Sequence, residues 1–241
     1  MGISLLTYNL LFSNALHQIE KILARETPDV LCFQEMETTE ENFQKLEAFG
    51  YRLADYSNSF MRFGKIFGLA TFYKESSLTF IESSSFSLPR SYYEIMLFIL
   101  NGVHHPRTVL KTDFVLKSDK RKLTIYNLHL SPWATNSARD KQIHKTFSDM
   151  QIFNKKHLLI AGDFNYPYGR KKFESFIQEY GLHEATNNLL FTLEQSFLKF
   201  FTVKLKLDYI LYKNFEVVET RRIPINYSDH FPIVSDFKFI E

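Results

Sequence analysis

Short apolar runs recur along the chain, and most of them end in a polar residue or a glycine. Apolar runs of about four to eight residues bounded by turn-forming residues are typical of buried β-strands. The pattern predicts strands at residues 3–8, 30–34, 51–56, 66–73, 78–85, 107–116, 122–128, 157–162, 207–212, 215–220 and 233–239. Residues 117–120 predict a tight turn, so the strands on either side of them should form a hairpin.

Apolar residues at helical spacing separate several of these strands. They predict helices over residues 15–24, 38–49, 136–153 and 172–180. Thr38 and Glu41 have the spacing of a capping box at the start of the second helix, and Gly50 is placed to end it. Helices that recur between strands favour an α/β fold in which two mixed β-sheets pack face to face with helices outside them.

Two stretches fit neither pattern clearly. Residues 91–105 contain an aromatic and apolar patch, which we expect to be a buried strand, with lipid contact as the alternative; its members are Tyr92, Tyr93, Met96, Phe98 and Ile99. Residues 189–201 are rich in Phe and leave the same two alternatives open.

The bulk composition is that of an ordinary globular domain. The chain has 241 residues, of which 45% are hydrophobic, and no repeat or flexible linker divides it, so we predict one domain over residues 1–241. A formal net charge of +2 does not by itself indicate nucleic-acid binding. Local basic clusters would have to supply that attraction.

The single cysteine and the lack of a visible leader bear on location. Because Cys32 is the single cysteine, an intrachain disulfide is excluded. Cys32 lies within an apolar run and is expected to be buried. No basic segment followed by a long apolar one is visible, and no apolar run approaches the ~20 residues that span a bilayer. We therefore expect a cytoplasmic protein without a transmembrane segment.

Six segments place polar side chains at or near the ends of apolar strands. They are residues 7–9 (Thr-Tyr-Asn), 34–35 (Gln-Glu), 127–130 (Asn-Leu-His-Leu), 162–165 (Gly-Asp-Phe-Asn), 207–210 (Leu-Asp-Tyr-Ile) and 228–230 (Ser-Asp-His). Each is weak evidence alone, because an Asn after a strand is usually a turn former and a lone His is more often structural. Asp208 is more informative, since a carboxylate within an apolar run is costly to bury without a partner. Together the segments predict a site where they converge.

In this order, the six segments resemble the endonuclease/exonuclease/phosphatase superfamily, which has the deoxyribonuclease I-like fold. The matches extend from residue 7 to residue 230, and Gly-Asp-Phe-Asn and Ser-Asp-His are the most specific. The resemblance implies a four-layered α/β sandwich that cleaves a phosphate ester with a divalent metal. The implied ion is Mg²⁺, with Mn²⁺ as the alternative.

The resemblance also implies metal ligands. Glu35 would be the principal ligand, Asn9 would assist at or near the ion, and Asp229 would be a further ligand or support one. Mg²⁺ prefers oxygen ligands, usually one or two carboxylates with water and substrate phosphate. The carboxylate-rich, cysteine-poor set argues against a thiolate zinc site.

The remaining members of the set carry catalysis in the superfamily. By resemblance, Asp163 would orient or deprotonate the attacking water, and Asn165 would hold a phosphate oxygen. His230 would contact the phosphate with Asp208 bonded to its imidazole, and His129 would bind another phosphate oxygen. The division of proton transfer between Asp163 and His230 stays open at this point.

Three arginines are candidates for substrate binding. Arg107 and Arg139 occupy positions where the superfamily carries Arg, near phosphate or in structural ion pairs, and Arg170 belongs to the basic cluster at residues 169–172. That cluster follows the Asp163 strand end and could hold a nucleic-acid backbone. A solvated helix start is the other interpretation.

The substrate class is a choice among three hypotheses. The form His129-Leu130 resembles deoxyribonuclease I, sphingomyelinases, deadenylases and tyrosyl-DNA phosphodiesterases rather than abasic-site endonucleases, which carry Pro-Asn there. We expect a monomeric phosphodiesterase acting on nucleic acid. The alternatives are a phospholipid or inositol phosphate esterase and, from a different class, a non-catalytic binding module of the same fold.

Overall fold

The structure is a computed structural model that describes residues 2–62, 64–89, 92–101, 107–132, 134–149, 155–197, 201–225 and 227–240. Two six-stranded sheets form its centre. The first sheet contains β1 (Gly2–Asn9), β2 (Val30–Glu37), β3 (Arg52–Arg62), β4 (Lys65–Tyr73), β13 (Phe215–Arg222) and β14 (Ile233–Phe239). Its strand order is β13–β14–β1–β2–β4–β3.

The second sheet has the order β5–β6–β7–β8–β12–β9. Its strands are β5 (Leu78–Ser87), β6 (Thr108–Leu116), β7 (Lys122–His129), β8 (Leu158–Asp163), β9 (His183–Glu184) and β12 (Asp208–Lys213). A separate hairpin is formed by β10 (Leu193–Phe197) and β11 (Phe201–Leu205). Each sheet contains one parallel pair, β1 with β2 and β7 with β8.

Five α-helices accompany the sheets in the described residues. They are α1 (Ile19–Leu23), α2 (Glu40–Glu47), α3 (Tyr92–Asn101), α4 (Asn136–Asp149) and α5 (Arg170–Glu179). Short 3₁₀ helices at Asn14–Gln18 and Ala185–Asn188 precede α1 and follow β9. Among these residues, no helix has the length and apolar character needed to cross a membrane.

Three apolar cores give the four-layered arrangement that the sequence predicts. The core between the sheets joins Leu5 and Cys32 of the first sheet to Ile125 and Ala161 of the second. A second core packs the outer face of the first sheet against α1 and α2. A third packs the outer face of the second sheet against α4 and α5. Successive side chains of a strand point to opposite faces of the sheet, so apolar residues on both faces of these strands can be buried.

A polar network crosses the inter-sheet core below the ends of the strands. Asn127 of β7 is fully buried, and its Oδ1 accepts a hydrogen bond from Gln34 Nε2 of β2 at 2.8 Å. Its Nδ2 donates to the main-chain oxygens of Phe33 and Ala70, each at 3.1 Å. Two of the predicted polar segments, Gln34 and Asn127, therefore tie the two sheets together.

The structure corrects several predictions. The patch beginning at Tyr92 forms helix α3 rather than a buried strand, and Tyr92, Met96 and Ile99 are exposed. Every residue from Tyr92 to Leu100 except Glu94 is apolar, so the sequence carries no periodicity that separates a helix from a strand in this segment. The second helix is capped by Thr39, whose side chain accepts from Asn42 N, and not by Thr38.

Other boundaries differ less. The predicted helix at residues 15–24 is divided between a 3₁₀ turn and α1. The helix predicted over 136–153 is α4, and residues 150–153 of that prediction lie outside the described residues. Much of the ambiguous stretch at residues 189–201 belongs to the hairpin of β10 and β11.

Candidate active site

The ends of four central strands meet at one edge of the sandwich. Asn9 and His129 are the last residues of β1 and β7, and Asp163 is the last residue of β8. Asp208 begins β12 and lies directly opposite Asp163 in the antiparallel pair. The carboxyl ends of neighbouring parallel strands lie at the same edge of a sheet, so this topology brings distant segments together.

Gly162 allows the close approach of β7 and β8 at this edge. Its φ is +144°, and a Cβ built on it would lie 1.9 Å from the main-chain oxygen of Leu128. Any side chain would force the strands apart where His129 and Asp163 stand opposite each other. The glycine is therefore required by the site's geometry.

Asp163 lies at the centre of the resulting cluster. Its Oδ2 accepts a hydrogen bond from Asn9 Nδ2 at 3.1 Å, and its Oδ1 accepts from the main-chain N of Asn165 at 2.8 Å. The Nε2 atoms of His129 and His230 lie 3.5 and 3.8 Å from the same Oδ2. Both sheets and the loop before β14 thus supply polar groups to a single carboxylate oxygen.

Burial shifts the pKa of two carboxyl groups in the cluster, those of Asp163 and Glu35. It raises the pKa of Asp163 to about 7, with the charge of His230 acting in the opposite direction. Burial also raises the pKa of Glu35, opposed by Arg107 and His230. A carboxyl whose pKa lies near neutrality is well suited to accept a proton from water. A cation beside these carboxylates would offset the cost of burying them.

Arg107 determines which nitrogen of His129 carries the proton. Its Nη1 lies 3.3 Å from His129 Nδ1. A guanidinium only donates hydrogen bonds, so Nδ1 accepts and the ring proton resides on Nε2, facing Asp163. Burial, and then the positive charge of Arg107, hold the pKa of His129 well below its usual value. His129 is therefore a neutral hydrogen-bond donor.

His230 has the opposite charge state. Its Nδ1 lies 2.7 Å from Asp208 Oδ2. Burial disfavours the charged ring, but the carboxylates of Asp208 and Asp163 outweigh that cost and raise the pKa of His230 to about 10. The ring is cationic at neutral pH, so Nδ1–H donates to Asp208 and Nε2–H points towards Asp163. The site combines one neutral and one cationic imidazole.

Glu35 is aimed into the site by a distortion of β2. The pairing of β2 with β4 shifts register between Phe33 and Met36, and Glu35 has a left-handed φ of +54°. Bulges of this kind redirect side chains next to active sites. Glu35 Oε2 accepts from Phe12 N at 3.3 Å, while Oε1 lies 3.9 Å from His129 Nε2. One oxygen is held by the main chain and the other faces the cluster.

The oxygen donors of the site fit a hard divalent cation. By distance alone, Asp163, Asp208 and His230 could hold an ion, since their ligand atoms lie within 4.8 Å of one another. However, the cationic ring of His230 has no lone pair to offer, and its Nδ1 is bonded to Asp208. Glu35 Oε1 faces the cluster and is an oxygen that could hold an ion there, and the nearby negative charge of Asp229 contributes to raising the pKa of Glu35. Carboxylate oxygens are the donors that Mg²⁺ and Mn²⁺ take.

Most of the predicted site residues are brought together. The structure gathers Asn9, Glu35, Arg107, His129, Asp163, Asn165, Asp208, Asp229 and His230 at this edge. Asn165 also has a left-handed φ of +48°, and its Nδ2 donates to the main-chain oxygen of Leu130 at 3.1 Å. The roles given to these residues by the family resemblance stay predictions.

Two of the predicted arginines have other partners. Arg139 donates to the main-chain oxygens of Ser131 and Pro132, and so holds the loop that follows β7. Arg170 is paired with Glu174 and Glu184 and lies over the ring of Tyr209, in the outer core of the second sheet. The structure does not bring Arg170 to the cluster. Lys172 of the same basic stretch is paired with Asp140.

Sequence reasoning missed Thr192, which precedes β10. Its Oγ1 donates to Asp208 Oδ2 at 2.7 Å, and the residue is fully buried. A threonine between Phe191 and Leu193 carries no recognisable signal, because its role depends on segments brought to it by the fold. The left-handed turn of residues 11–13, which contacts Glu35, is equally invisible in the sequence.

The fold and the site define a class of hydrolase. Asp163, whose pKa is about 7, lies between the imidazoles of His129 and His230, with the carboxylate of Glu35 nearby. Such a set of groups can activate water and stabilise an anionic ester. The sequence model of the Endonuclease/Exonuclease/phosphatase family matches residues 6–230, and the chain belongs to that family. Its members are hydrolytic phosphoesterases that generally depend on a divalent metal, and this chain is a phosphoesterase of that family. A comparison with curated proteins gives no match.

Solved structures of the same fold cover nearly the whole chain. The catalytic domain of human nocturnin with a bound sulfate anion has 19% identity and a TM-score of 0.79, over 99% of this chain and 94% of that one. A mannosyl-6-phosphatase of Bacteroides thetaiotaomicron has 18% identity and a TM-score of 0.71, over 98% and 100%. TDP2 of D. rerio, complexed with a single-stranded DNA product, has 15% identity and a TM-score of 0.70, over 98% and 99%. These similarities establish the fold.

Proposed function

We propose that this phosphoesterase is a Mg²⁺-dependent phosphodiesterase that acts on nucleic acid, with Mn²⁺ as an alternative ion. The observation that carries the proposal is the convergence of two imidazole Nε2 atoms within 4 Å of Asp163 Oδ2, next to Glu35. Hydrolysis of a phosphate diester needs a proton acceptor for water and positive groups around the phosphate. Both are present at this point.

The side chains divide the work by their charge states. Asp163 accepts the proton of the attacking water, for which a pKa of about 7 is suitable. His230, cationic and held by Asp208, donates from Nε2 to a phosphate oxygen, where its charge is most effective in the transition state. His129, neutral and donating from Nε2, holds a second oxygen, with the charge of Arg107 behind it.

Glu35 is the residue that would hold the ion, with Asn9 and Asp229 as nearby oxygen donors. A bound divalent cation supplies Lewis-acid stabilisation of the phosphate's negative charge. The two Glu35 oxygens have different surroundings: Oε2 accepts a hydrogen bond from Phe12 N, while Oε1 faces the cluster. Asn165 would orient the phosphate from the loop after β8, and Arg139 of α4 would support the loop after β7.

Support for a nucleic-acid substrate comes from the relatives rather than from the basic cluster. One relative of the same fold is complexed with single-stranded DNA product. Arg170 and Lys172, in contrast, are paired with acidic neighbours, which reduces the local positive potential that a nucleic-acid backbone would meet. The attraction would have to come from Arg107 and the cationic His230 inside the site.

Helix α3 favours a second candidate, an esterase for phospholipid or inositol phosphate. Tyr92, Ile99 and Leu100 are exposed to 71%, 73% and 70%, which is unusual for so apolar a segment. The residues on either side of this segment are anchored beside the site, because Leu88 N donates to the main-chain oxygen of Arg107 at 2.7 Å and Arg107 contacts His129. An apolar surface at this position could contact the acyl chains of a lipid substrate.

A substrate screen tests the proposal. The protein is incubated with single- and double-stranded DNA, RNA, sphingomyelin, inositol phosphates and sugar phosphates, with Mg²⁺ or Mn²⁺ and with a chelator. Turnover of DNA or RNA that the chelator abolishes is expected. Turnover of lipid or inositol phosphate alone would favour the second candidate. A protein that binds one of these compounds without converting any would be a binding module.

Matched variants tie the turnover to this site. Asp163→Ala and His230→Ala should abolish activity, since each removes a group placed at the centre of the cluster. Lys171→Ala changes an exposed residue of the basic stretch and serves as the control. Activity retained by Asp163→Ala would refute the assignment of the water-activating group.

A further inference from the structure

Thr192 lies between β12, the strand that carries Asp208, and the hairpin of β10 and β11. Its main-chain N donates to Leu205 O, and its main-chain O accepts from Phe231 N, each at 2.8 Å. Its side chain is fully buried and contacts the start of β12. One residue therefore joins the hairpin, the loop that carries His230 and the strand that carries Asp208.

The direction of the Thr192 hydroxyl is determined by its neighbours. The main-chain N–H groups of Leu207 and Asp208 donate to Thr192 Oγ1 at 2.9 and 3.0 Å. These two bonds occupy the acceptor positions of the oxygen, so the one hydroxyl proton is directed at Asp208 Oδ2, 2.7 Å away. The hydroxyl cannot rotate away without breaking this set.

The same Asp208 oxygen also accepts the bond from His230 Nδ1 at 2.7 Å. A carboxylate held by two donors on one oxygen has little freedom to rotate, so the imidazole bonded to it is held as well. His230 Nε2 then stays directed at the reaction centre, 3.8 Å from Asp163 Oδ2.

We propose that Thr192 is a positioning residue that acts through Asp208 to fix the imidazole of His230 for phosphate contact. The inference deepens the proposed function and rests on the role assigned there to His230. It concerns a residue that touches neither the phosphate nor the ion. Loss of its hydroxyl should therefore reduce the rate of the chemical step and leave substrate binding nearly unchanged.

The first test is kinetic and uses the substrate that the screen identifies. Thr192→Val keeps the shape but removes the hydroxyl and should lower kcat by about 10-fold or more, as loss of a hydrogen-bonded supporting partner commonly does, with little change in KM. Thr192→Ser keeps the hydroxyl and should restore the rate. Thr112→Val is the control, because Thr112 is also fully buried but its hydroxyl donates to Ile125 O within the sheet.

A double-mutant cycle separates positioning from a general structural role. If Thr192 acts through Asp208, Thr192→Val should have almost no further effect in the Asp208→Asn background. An equal loss of kcat in both backgrounds would overturn the proposal, as would a Thr192→Ser variant no more active than Thr192→Val. If Thr192→Val does not fold, Thr192→Cys, a weaker donor, replaces it with the same expectation.

The second test needs no substrate. The proton on His230 Nδ1 is hydrogen-bonded to Asp208 and buried, so it should give a far-downfield resonance in the proton NMR spectrum, assigned by its loss in Asp208→Asn. Thr192→Val should shift this resonance and speed its exchange with water, whereas Thr112→Val should not. An unchanged resonance would refute the positioning role. Failure of the screen with a positive NMR result would instead refute the proposed substrate class.

Discussion

Replacement of Asn127 by leucine should destabilise the protein strongly, because this one amide joins the two sheets. Asn127→Leu preserves approximate volume but removes three hydrogen bonds, to Gln34, Phe33 and Ala70. Gln34 Nε2 retains Thr7 Oγ1 and Cys32 O as acceptors, each at 3.1 Å. The groups that lose a donor are therefore mainly the main-chain carbonyls of Phe33 and Ala70.

The magnitude follows from these contacts. Three hydrogen bonds at a net of about 1 kcal/mol each amount to about 3 kcal/mol, and two carbonyls that lose a donor add up to about 2 kcal/mol. For a chain of 241 residues, the entropy of unfolding is about 0.5 kcal/mol/K. A loss of about 3–5 kcal/mol then lowers the Tm by about 6–10 °C.

Differential scanning calorimetry and urea unfolding measure the change. Asn188→Leu is the matched control, because Asn188 is exposed and donates one hydrogen bond, to Thr220 O at 3.0 Å. Such a surface change should remain within about 0.5 kcal/mol of the wild type. If the Asn127 variant unfolded at the same temperature as the Asn188 variant, the argument that this network ties the sheets would be wrong.

Three other perturbations have defined outcomes. Glu35→Gln should weaken Mn²⁺ binding in titration calorimetry by at least about 10-fold, the cost of losing a metal-site partner; unchanged affinity would place the ion elsewhere. Arg107→Met should lower kcat by about 10-fold, because His129 loses the donor that fixes its tautomer; a rate equal to that of the wild type would contradict this. Burial lowers the pKa of His157 in the folded protein, so the folded state favours the neutral imidazole. The contribution of His157 to the free energy of unfolding is therefore fully present above about pH 6.5 and is lost as the pH falls, because the unfolded chain binds the proton first. The difference in unfolding free energy between wild type and His157→Leu should therefore shrink below that pH, and parallel curves would refute the reasoning.

The location of the site could be predicted from the sequence because its chemistry follows apolar strands directly. Asp163 ends β8, His230 lies in the loop before β14, and Glu35 lies at the bulge of β2; parallel pairing at the centre of each sheet brings such positions to one edge. Local patterns predicted these elements well, since buried strands are short and strongly apolar. The four layers followed from the recurrence of helices between strands.

Other features depend on contacts that local patterns do not contain. Arg170 was expected to hold a nucleic-acid backbone or to lie at a solvated helix start, but Glu184 of β9 pairs with it in addition to the local partner Glu174. Helix α3 was taken for a buried strand because an apolar segment is normally covered, whereas Tyr92 and Ile99 are exposed. Thr192 acquires its role only when β12 and the loop before β14 reach it. Partners outside the local sequence decide the cases of Arg170 and Thr192.

The two halves of the site are carried by different sheets, with Asn9 and Glu35 on one and His129 and Asp163 on the other. The thickness of the apolar layer between them sets the gap across which these groups must meet. Cys32 and Ala161 are small, fully buried members of that layer. Larger side chains there would widen the gap, so a substitution that touches none of the reacting groups would still reach them through the spacing of the sheets.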